Sequence, residues 1–197
     1  KNRPNELLAM LKSLVIQTHL PNQIIIVDQS LKENIIEDKL PSVLGLNKIK
    51  LNYIHDQNII GLVSAKAFAV KYNTCDIISF FDDDIVLESG YIKAIFLAFK
   101  QYPKIYGANG LILNIPNQNI IKCLFYRLTH LGLFRDNRQR ISKQCSSDNL
   151  NIPKNVNNIS GGLSSWRSEV FEKVKFDILN KFHSFEDVEF SIRFEKK

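Results

Sequence analysis

The sequence contains few cysteines, no long uncharged apolar stretch and none of the common nucleotide-phosphate motifs. No apolar run approaches the roughly 20 residues that a transmembrane helix needs. The three cysteines (Cys75, Cys123 and Cys145) are an odd number without metal-ligand spacing, which favours a reducing, cytoplasmic compartment. The chain also lacks a P-loop, a Gly-x-Gly-x-x-Gly sequence and a Gly-x-Ser-x-Gly elbow. These absences argue against ATPase, dinucleotide-binding and serine-hydrolase classes.

The composition is that of an ordinary globular domain, but its positive charge is unevenly spread. The 197 residues are 45% hydrophobic and 23% charged, which is enough for one domain with a sizeable core. Most of the net charge of +6 lies between Lys122 and Lys143, where six basic residues accompany a single acid. A basic surface suits phosphate groups, nucleic acid or an acidic membrane face. The apolar and aromatic residues 120–134 predict either a helix on a membrane surface or a helix that covers the core.

The hydrophobic pattern alternates between strand and helix along most of the chain. Apolar residues at helical spacing predict helices over 5–17, 62–70, 91–99, 170–174 and 185–194. Apolar or alternating runs predict strands over 24–27, 49–53, 76–81 and 105–113, and a short strand after Gly161-Gly162. The wholly apolar run 24–27 is typical of a parallel strand buried on both faces. The alternation predicts an α/β fold with a mostly parallel sheet.

Three consecutive carboxylates, Asp82, Asp83 and Asp84, follow the predicted strand 76–81. Adjacent anions repel one another, so their position at a strand end is explained by a bound divalent cation, which prefers oxygen ligands. The alternative is a solvated acidic turn. Asp28 follows strand 24–27 in the same way and either begins a turn or lies at the sheet edge where α/β proteins bind ligands.

A second acidic pair, Glu186 and Asp187, opens the last predicted helix. Acidic residues in the first turn of a helix interact favourably with its dipole, so on the residues alone helix capping is the simplest role for them.

Several segments, taken in order, resemble the motifs of the family 2 glycosyltransferases, whose fold is named GT-A. The opening Asn-Arg-Pro is similar to the family's Thr-Tyr-Asn-Arg-Pro. Residues 25–30 are similar to the family's apolar strand that ends in acidic residues. The segment 61–66 is similar to Gly-Leu-Ser-Ala-Ala-Arg, although Lys66 stands where arginine is usual. Residues 80–84 resemble the segment with the Asp-x-Asp motif, while 161–171 and 185–193 resemble the acceptor-side and Glu-Asp segments. The resemblance covers nearly the whole chain except 115–158.

This resemblance implies a fold and a domain organisation. It implies a single GT-A domain over 1–197, a three-layer α/β/α arrangement with a mostly parallel central sheet and helices on both faces. The family's first strand is expected before Lys1, and 115–158 is expected to be a variable acceptor-side insertion.

The resemblance also implies roles for individual residues. It places Asp28 against the nucleobase, Lys66 near the base or phosphates, and Asp82 and Asp83 on the nucleotide-sugar side. Asp84, with Asp82, would hold Mg²⁺ or Mn²⁺. Asp187 would be the general base, and four residues would line the acceptor site: Gly161, Gly162, Trp166 and Glu186.

The implied activity is inverting, metal-dependent transfer of a sugar from a nucleotide-diphospho-sugar to a glycan or lipid-linked acceptor, with no nucleic acid partner. The expected setting is surface polysaccharide or glycolipid synthesis in the cytoplasm, with peripheral membrane contact through 120–143. Two alternatives stay open: a nucleotidyltransferase of similar fold that makes sugar nucleotides, and a non-catalytic binding module.

Overall fold

The computed structural model describes residues 2–31, 49–113, 155–156, 159–179 and 186–196. Its elements, in chain order, are α1 (Pro4–Val15), β1 (Gln23–Asp28), β2 (Lys50–His55), α2 (Leu62–Val70), β3 (Ile77–Phe81), α3 (Tyr91–Gln101), β4 (Gly107–Ala108), β5 (Leu163–Arg167), α4 (Val170–Lys173) and α5 (Glu186–Glu195). Within these ranges no helix is long and apolar enough to cross a membrane. The predicted basic segment 120–143 lies outside the described residues.

Helix α1 begins with a proline and packs one apolar face onto β1. Pro4 suits the first helical turn because that position needs no backbone N–H donor. Met10, Leu11 and Leu14 are buried together with Ile24 and Ile26 of β1 in one core cluster. The helix ends at Val15, and Gln17 then donates from its side-chain amide to the carbonyls of Ser13 and Glu88.

Strands β1 and β2 form a parallel pair, as the strand patterns predict. Gln23 pairs with Lys50 and Asp28 with His55 at the two ends of the register. Burial alternates along β1, so Ile24, Ile26 and Asp28 are buried while the residues between them are half-buried. The prediction that this strand is buried on both faces is therefore too strong. The face that packs on α1 is the more deeply covered one.

The other described strands form an antiparallel sheet with the order β3-β5-β4. Phe81 at the end of β3 pairs with Leu163 at the start of β5. The prediction of one mostly parallel central sheet is not confirmed, because only one of the three described pairings is parallel. The predicted strand 105–113 is reduced to Gly107–Ala108. A Cβ on Gly107 would lie 2.8 Å from the Trp166 ring, so only glycine allows this close pairing.

A cavity of about 520 Å³ is lined by residues of both β1 and β3. Both are edge strands among the described residues. Asp28, Asp82 and Asp83, which follow or end these strands, line the same cavity.

An aromatic cluster anchors α4 and α5 on the antiparallel sheet. Phe190 of α5 is only 2% exposed. Its ring centroid lies 5.3 Å from that of Trp166 and 5.6 Å from that of Phe171. Burying large aromatic side chains contributes strongly to stability. This packing fixes the helix whose first turn carries Glu186 and Asp187.

Candidate active site

The acidic turn is tied to the start of β5 at the point where β3 ends. The Asp82 N–H donates to the Gly162 carbonyl at 2.9 Å, next to the ladder pair of Phe81 and Leu163. Asp82 is half-buried, and this burial raises the pKa of its carboxyl group, while nearby Lys66 opposes the rise. Removal from water disfavours the charged form of the Asp82 carboxyl group, and the positive charge of Lys66 favours it.

Arg3 lies across the other two carboxylates of the turn. Its guanidinium reaches Asp83 at 3.1 Å and Asp84 at 2.6 Å. The hydrogen bond from Arg3 holds the pKa of Asp84 below its usual range. Sequence reasoning quoted Arg3 in a motif but assigned it no role, since a contact between residues 81 positions apart leaves no pattern in the sequence.

The acidic turn fits a cation bound with the help of substrate, and it does not form a complete protein cage. Across the described ranges, no three His, Cys, Asp or Glu side chains are grouped so that they could hold a metal ion. Mg²⁺ usually keeps several waters and binds through one or two carboxylates plus substrate phosphates. The Asp84 side chain is 53% exposed at the turn, and a cation that binds there has to compete with the Arg3 guanidinium.

Asp28 is a buried carboxylate at the carboxyl end of β1. It is 7% exposed and accepts hydrogen bonds from the Ser30 N–H at 2.9 Å and the Tyr53 hydroxyl at 2.7 Å. It therefore shapes the turn after the strand and also lies at the cavity edge. The two interpretations of Asp28 from the sequence are compatible.

The Gly161-Gly162 turn lies between the two acidic clusters. A Cβ on Gly162 would lie 2.9 Å from Asp82 Cγ, and closer still to a carboxylate oxygen. A Cβ on Gly161 would lie 2.6 Å from a Glu186 carboxylate oxygen and 3.2 Å from Asp187 Cβ. A side chain at either position would displace these acids, and the turn brings together acids that are about a hundred residues apart in the sequence.

The first turn of α5 is connected to this glycine turn. Asp187 accepts a hydrogen bond from the Gly161 N–H at 3.0 Å and another from the Val188 N–H at 2.8 Å. Glu186 forms an ion pair with Lys66, with 3.1 Å between Nζ and Oε1. The pair of acids therefore has long-range partners, which helix capping alone does not explain.

Two predicted site residues have buried surroundings. Lys66, expected at the base or phosphates, is 7% exposed and donates to the Gly161 carbonyl at 2.9 Å. Trp166, expected at the acceptor site, is 6% exposed and belongs to the aromatic core behind the turn. The structure thus brings Asp82, Lys66 and the Glu186-Asp187 pair to one turn and places the Trp166 ring in the core.

Comparison with known proteins identifies the class. The sequence model of glycosyl transferase family 2 matches residues 1–175, which is most of the chain. The chain belongs to this family, as the motif resemblance predicts. No curated protein matches it.

Solved structures of S. aureus TarS share the fold. The crystal structure of TarS 1-349 matches with 13% sequence identity and a TM-score of 0.66. The match covers 98% of this chain and 52% of the TarS chain. The crystal structure of TarS 1-349 in complex with UDP matches with 15% sequence identity and a TM-score of 0.57. This match covers 94% of this chain and 50% of the TarS chain. The chain therefore spans about half the length of the TarS chains that it matches. At these identities the likeness concerns the fold, a GT-A-like α/β arrangement.

Proposed function

We propose that this chain carries the donor-binding and catalytic centre of an inverting, metal-dependent glycosyltransferase. The observation that supports this most directly is the Gly161-Gly162 turn, with Asp82 against one glycine and the Glu186-Asp187 pair against the other. Transfer from a nucleotide-diphospho-sugar needs charge compensation on the leaving-group side and a base on the acceptor side. In this proposal the acidic turn holds the cation that compensates the charge, and Asp187 is the base.

The donor side of this proposal is the edge of the cavity where β1 and β3 end. Asp28 would contact the nucleobase, and Asp82 and Asp83 would contact the rest of the nucleotide-sugar. The 520 Å³ cavity that these residues line lies within the size range of small-molecule sites. Because TarS has been crystallised with UDP, a uridine diphosphate sugar is the first donor to test.

The acceptor side is the first turn of α5. The two backbone hydrogen bonds to Asp187 orient its carboxylate next to Gly161. In the proposed step Asp187 takes the proton of the acceptor hydroxyl while that oxygen attacks C1 of the sugar. The bond between C1 and the diphosphate oxygen breaks, the nucleoside diphosphate leaves with the electron pair, and this single displacement inverts the anomeric centre.

Asp84, with Asp82, would hold the Mg²⁺ or Mn²⁺. A cation bound there compensates the negative charge that develops on the diphosphate leaving group. The ion pairs of Arg3 with Asp83 and Asp84 support this assignment, because they hold one cationic group at the turn.

The acceptor in this proposal is a glycan or a lipid-linked sugar of surface polysaccharide or glycolipid synthesis, reached at the cytoplasmic face of the membrane. The basic and aromatic sequence 120–143 supports this part. Co-sedimentation with anionic phospholipid vesicles at low salt tests it. A chain that stays in the supernatant at low salt contradicts the membrane contact.

Two substitutions test the catalytic roles in the full-length protein. Asp187→Asn should lower turnover by about 10²–10⁴-fold, the usual contribution of a general base, without changing the Kd for UDP and Mn²⁺ in calorimetry. Asp84→Asn should abolish Mn²⁺-dependent UDP binding. Glu172→Gln, an exposed acid on α4, is the matched control and should behave like the wild type.

Product analysis separates the alternatives. Release of nucleoside diphosphate supports glycosyl transfer, whereas release of pyrophosphate indicates a nucleotidyltransferase. A chain that binds UDP but releases neither product, and whose binding is unchanged by Asp84→Asn and Asp187→Asn, is a binding module, and the proposal is then wrong.

A further inference from the structure

Lys66 is a buried cation in a helix that is otherwise made of small, apolar or hydroxyl side chains. It is the only charged residue of α2 and is 7% exposed. Burying an ammonium group is expensive unless it is paired and hydrogen-bonded. The partners of the buried ammonium group therefore indicate the role of Lys66.

The direct polar contacts of Lys66 lie on the acceptor side of the proposed site, although the residue also lines the cavity next to Asp28 and Asp82. The Lys66 ammonium donates to the Gly161 carbonyl at 2.9 Å and pairs with Glu186 at 3.1 Å. It also lies 5.8 Å from the centroid of the Phe80 ring. The Glu186 side chain is itself only 13% exposed, so the ion pair is shielded from water on both sides.

Gly161 connects this ion pair to Asp187. Its carbonyl accepts from Lys66, and its N–H donates to the Asp187 carboxylate at 3.0 Å. Glu186 is the neighbour of Asp187 in the first turn of α5. Lys66 is therefore connected to Asp187 in two ways. Both residues hydrogen-bond to Gly161, and Lys66 pairs with Glu186, which precedes Asp187 in the sequence.

We infer that Lys66 is a positioning residue that connects α2 to Gly161 and Glu186 and thereby orients Asp187 toward the acceptor. This differs from the nucleotide contact that the family resemblance implies for Lys66. The inference rests on the proposed function, in which Asp187 is the base. A misplacement of about 1 Å in a reacting group is enough to cost about 10²-fold in rate, so a small shift of α5 has a measurable effect.

The experiment compares turnover with nucleotide affinity in the full-length protein. The probes are UDP with Mn²⁺ for calorimetry and UDP release from UDP-glucose or UDP-N-acetylglucosamine for turnover. Lys66→Met should lower kcat by about 10–100-fold and leave the Kd for UDP within about threefold. Lys66→Arg, which keeps the charge and a donor for both partners, should recover much of the lost kcat. Lys71→Met, which removes an exposed lysine at the end of the same helix, should behave like the wild type.

Glu186→Gln provides an independent test if Lys66→Met does not fold. It keeps the size of the side chain and removes the charge that Lys66 pairs with, so it should lower kcat without raising the Kd for UDP. The double variant should be no slower than the slower single variant, because both substitutions break one interaction.

Three results overturn the inference. The first is a Lys66→Met protein whose Kd for UDP rises tenfold or more while its kcat at saturating donor is unchanged, which makes Lys66 a nucleotide ligand. The second is a Glu186→Gln protein with the kcat of the wild type. The third is a wild-type protein that binds none of UDP, GDP and dTDP with Mn²⁺ and releases no nucleoside diphosphate from their sugars, and this result alone overturns the proposed function as well.

Discussion

Replacing Gly162 with alanine tests the contact between the glycine turn and the acidic turn. The new methyl carbon would lie 2.9 Å from Asp82 Cγ and closer still to its carboxylate. The backbones are held together, because the Asp82 N–H donates to the Gly162 carbonyl at 2.9 Å and Phe81 pairs with Leu163. The Asp82 side chain therefore has to rotate out of its position.

The expected cost follows from this geometry. Inserting a methyl group into a packed site costs about 1–3 kcal/mol, and a side chain about 30° off its rotamer costs about 0.5–1.5 kcal/mol. Asp82 is half-buried and its carboxylate is the far end of the side chain, so we expect about 1–2 kcal/mol of lost stability. In the proposed site, the displaced carboxylate no longer contacts the nucleotide. A hydrogen bond to a charged group is worth about 1.5–3 kcal/mol, so the Kd for UDP should rise by roughly 10–100-fold.

Urea unfolding and calorimetry measure the two effects. Trp166 is the only tryptophan of the chain and is buried, so its fluorescence reports unfolding. Gly90→Ala is the matched control, because a Cβ on Gly90 meets no atom within 4 Å. It should keep the Kd for UDP and lose less than about 1 kcal/mol. A Gly162→Ala protein with the stability and UDP affinity of the wild type would show that Asp82 does not lie against this glycine.

Three further substitutions test other parts of the structure. Burial raises the pKa of Tyr91 to about 12 from 10.0. Between these values the folded state keeps a proton that the unfolded state releases, so stability should fall as pH rises, by about 1.4 kcal/mol per pH unit. Tyr91→Phe should remove this contribution to the fall in urea titrations at high pH; an unchanged pH dependence would contradict the assignment. Arg3→Gln removes the guanidinium from Asp83 and Asp84, so Mn²⁺ should bind several-fold more tightly to the UDP-bound protein in calorimetry, and weaker binding would show that Arg3 does not compete with the cation. Trp166→Ala should cost about 3–5 kcal/mol in unfolding followed by circular dichroism, whereas unchanged stability with lost transfer would place Trp166 at the acceptor.

Local sequence patterns predicted most helices and strands well, because these elements depend mainly on residues that are close in the sequence. The predicted helix 62–70 has the bounds of α2, and the predicted helix 5–17 differs from α1 by one residue at its start and two at its end. Helical and strand periodicity arise from which side of one element meets the core. The predicted strand 105–113 is longer than β4, because strand length depends on pairing with a distant strand and only Gly107 and Ala108 pair with β5.

The sequence by itself also determined the family, because six short motifs in a fixed order are specific even when each is weak. The motifs also identified both acidic clusters, 82–84 and 186–187, and the glycine pair 161–162 that lies between them in the sequence. The sequence did not determine the partners of these groups. Lys66 and Glu186 are 120 residues apart, and Arg3 and Asp84 are 81 apart.

Only the tertiary structure decided how the site is assembled. It paired β3 with β5 in an antiparallel sheet, turned the Lys66 ammonium to Gly161 and Glu186, and placed the Trp166 ring in the core. The physical reason is that these contacts depend on which helices and strands, distant from one another in the sequence, pack together. Periodicity within one helix or strand carries no information about that choice, whereas burial and charge pairing in the folded chain determine it.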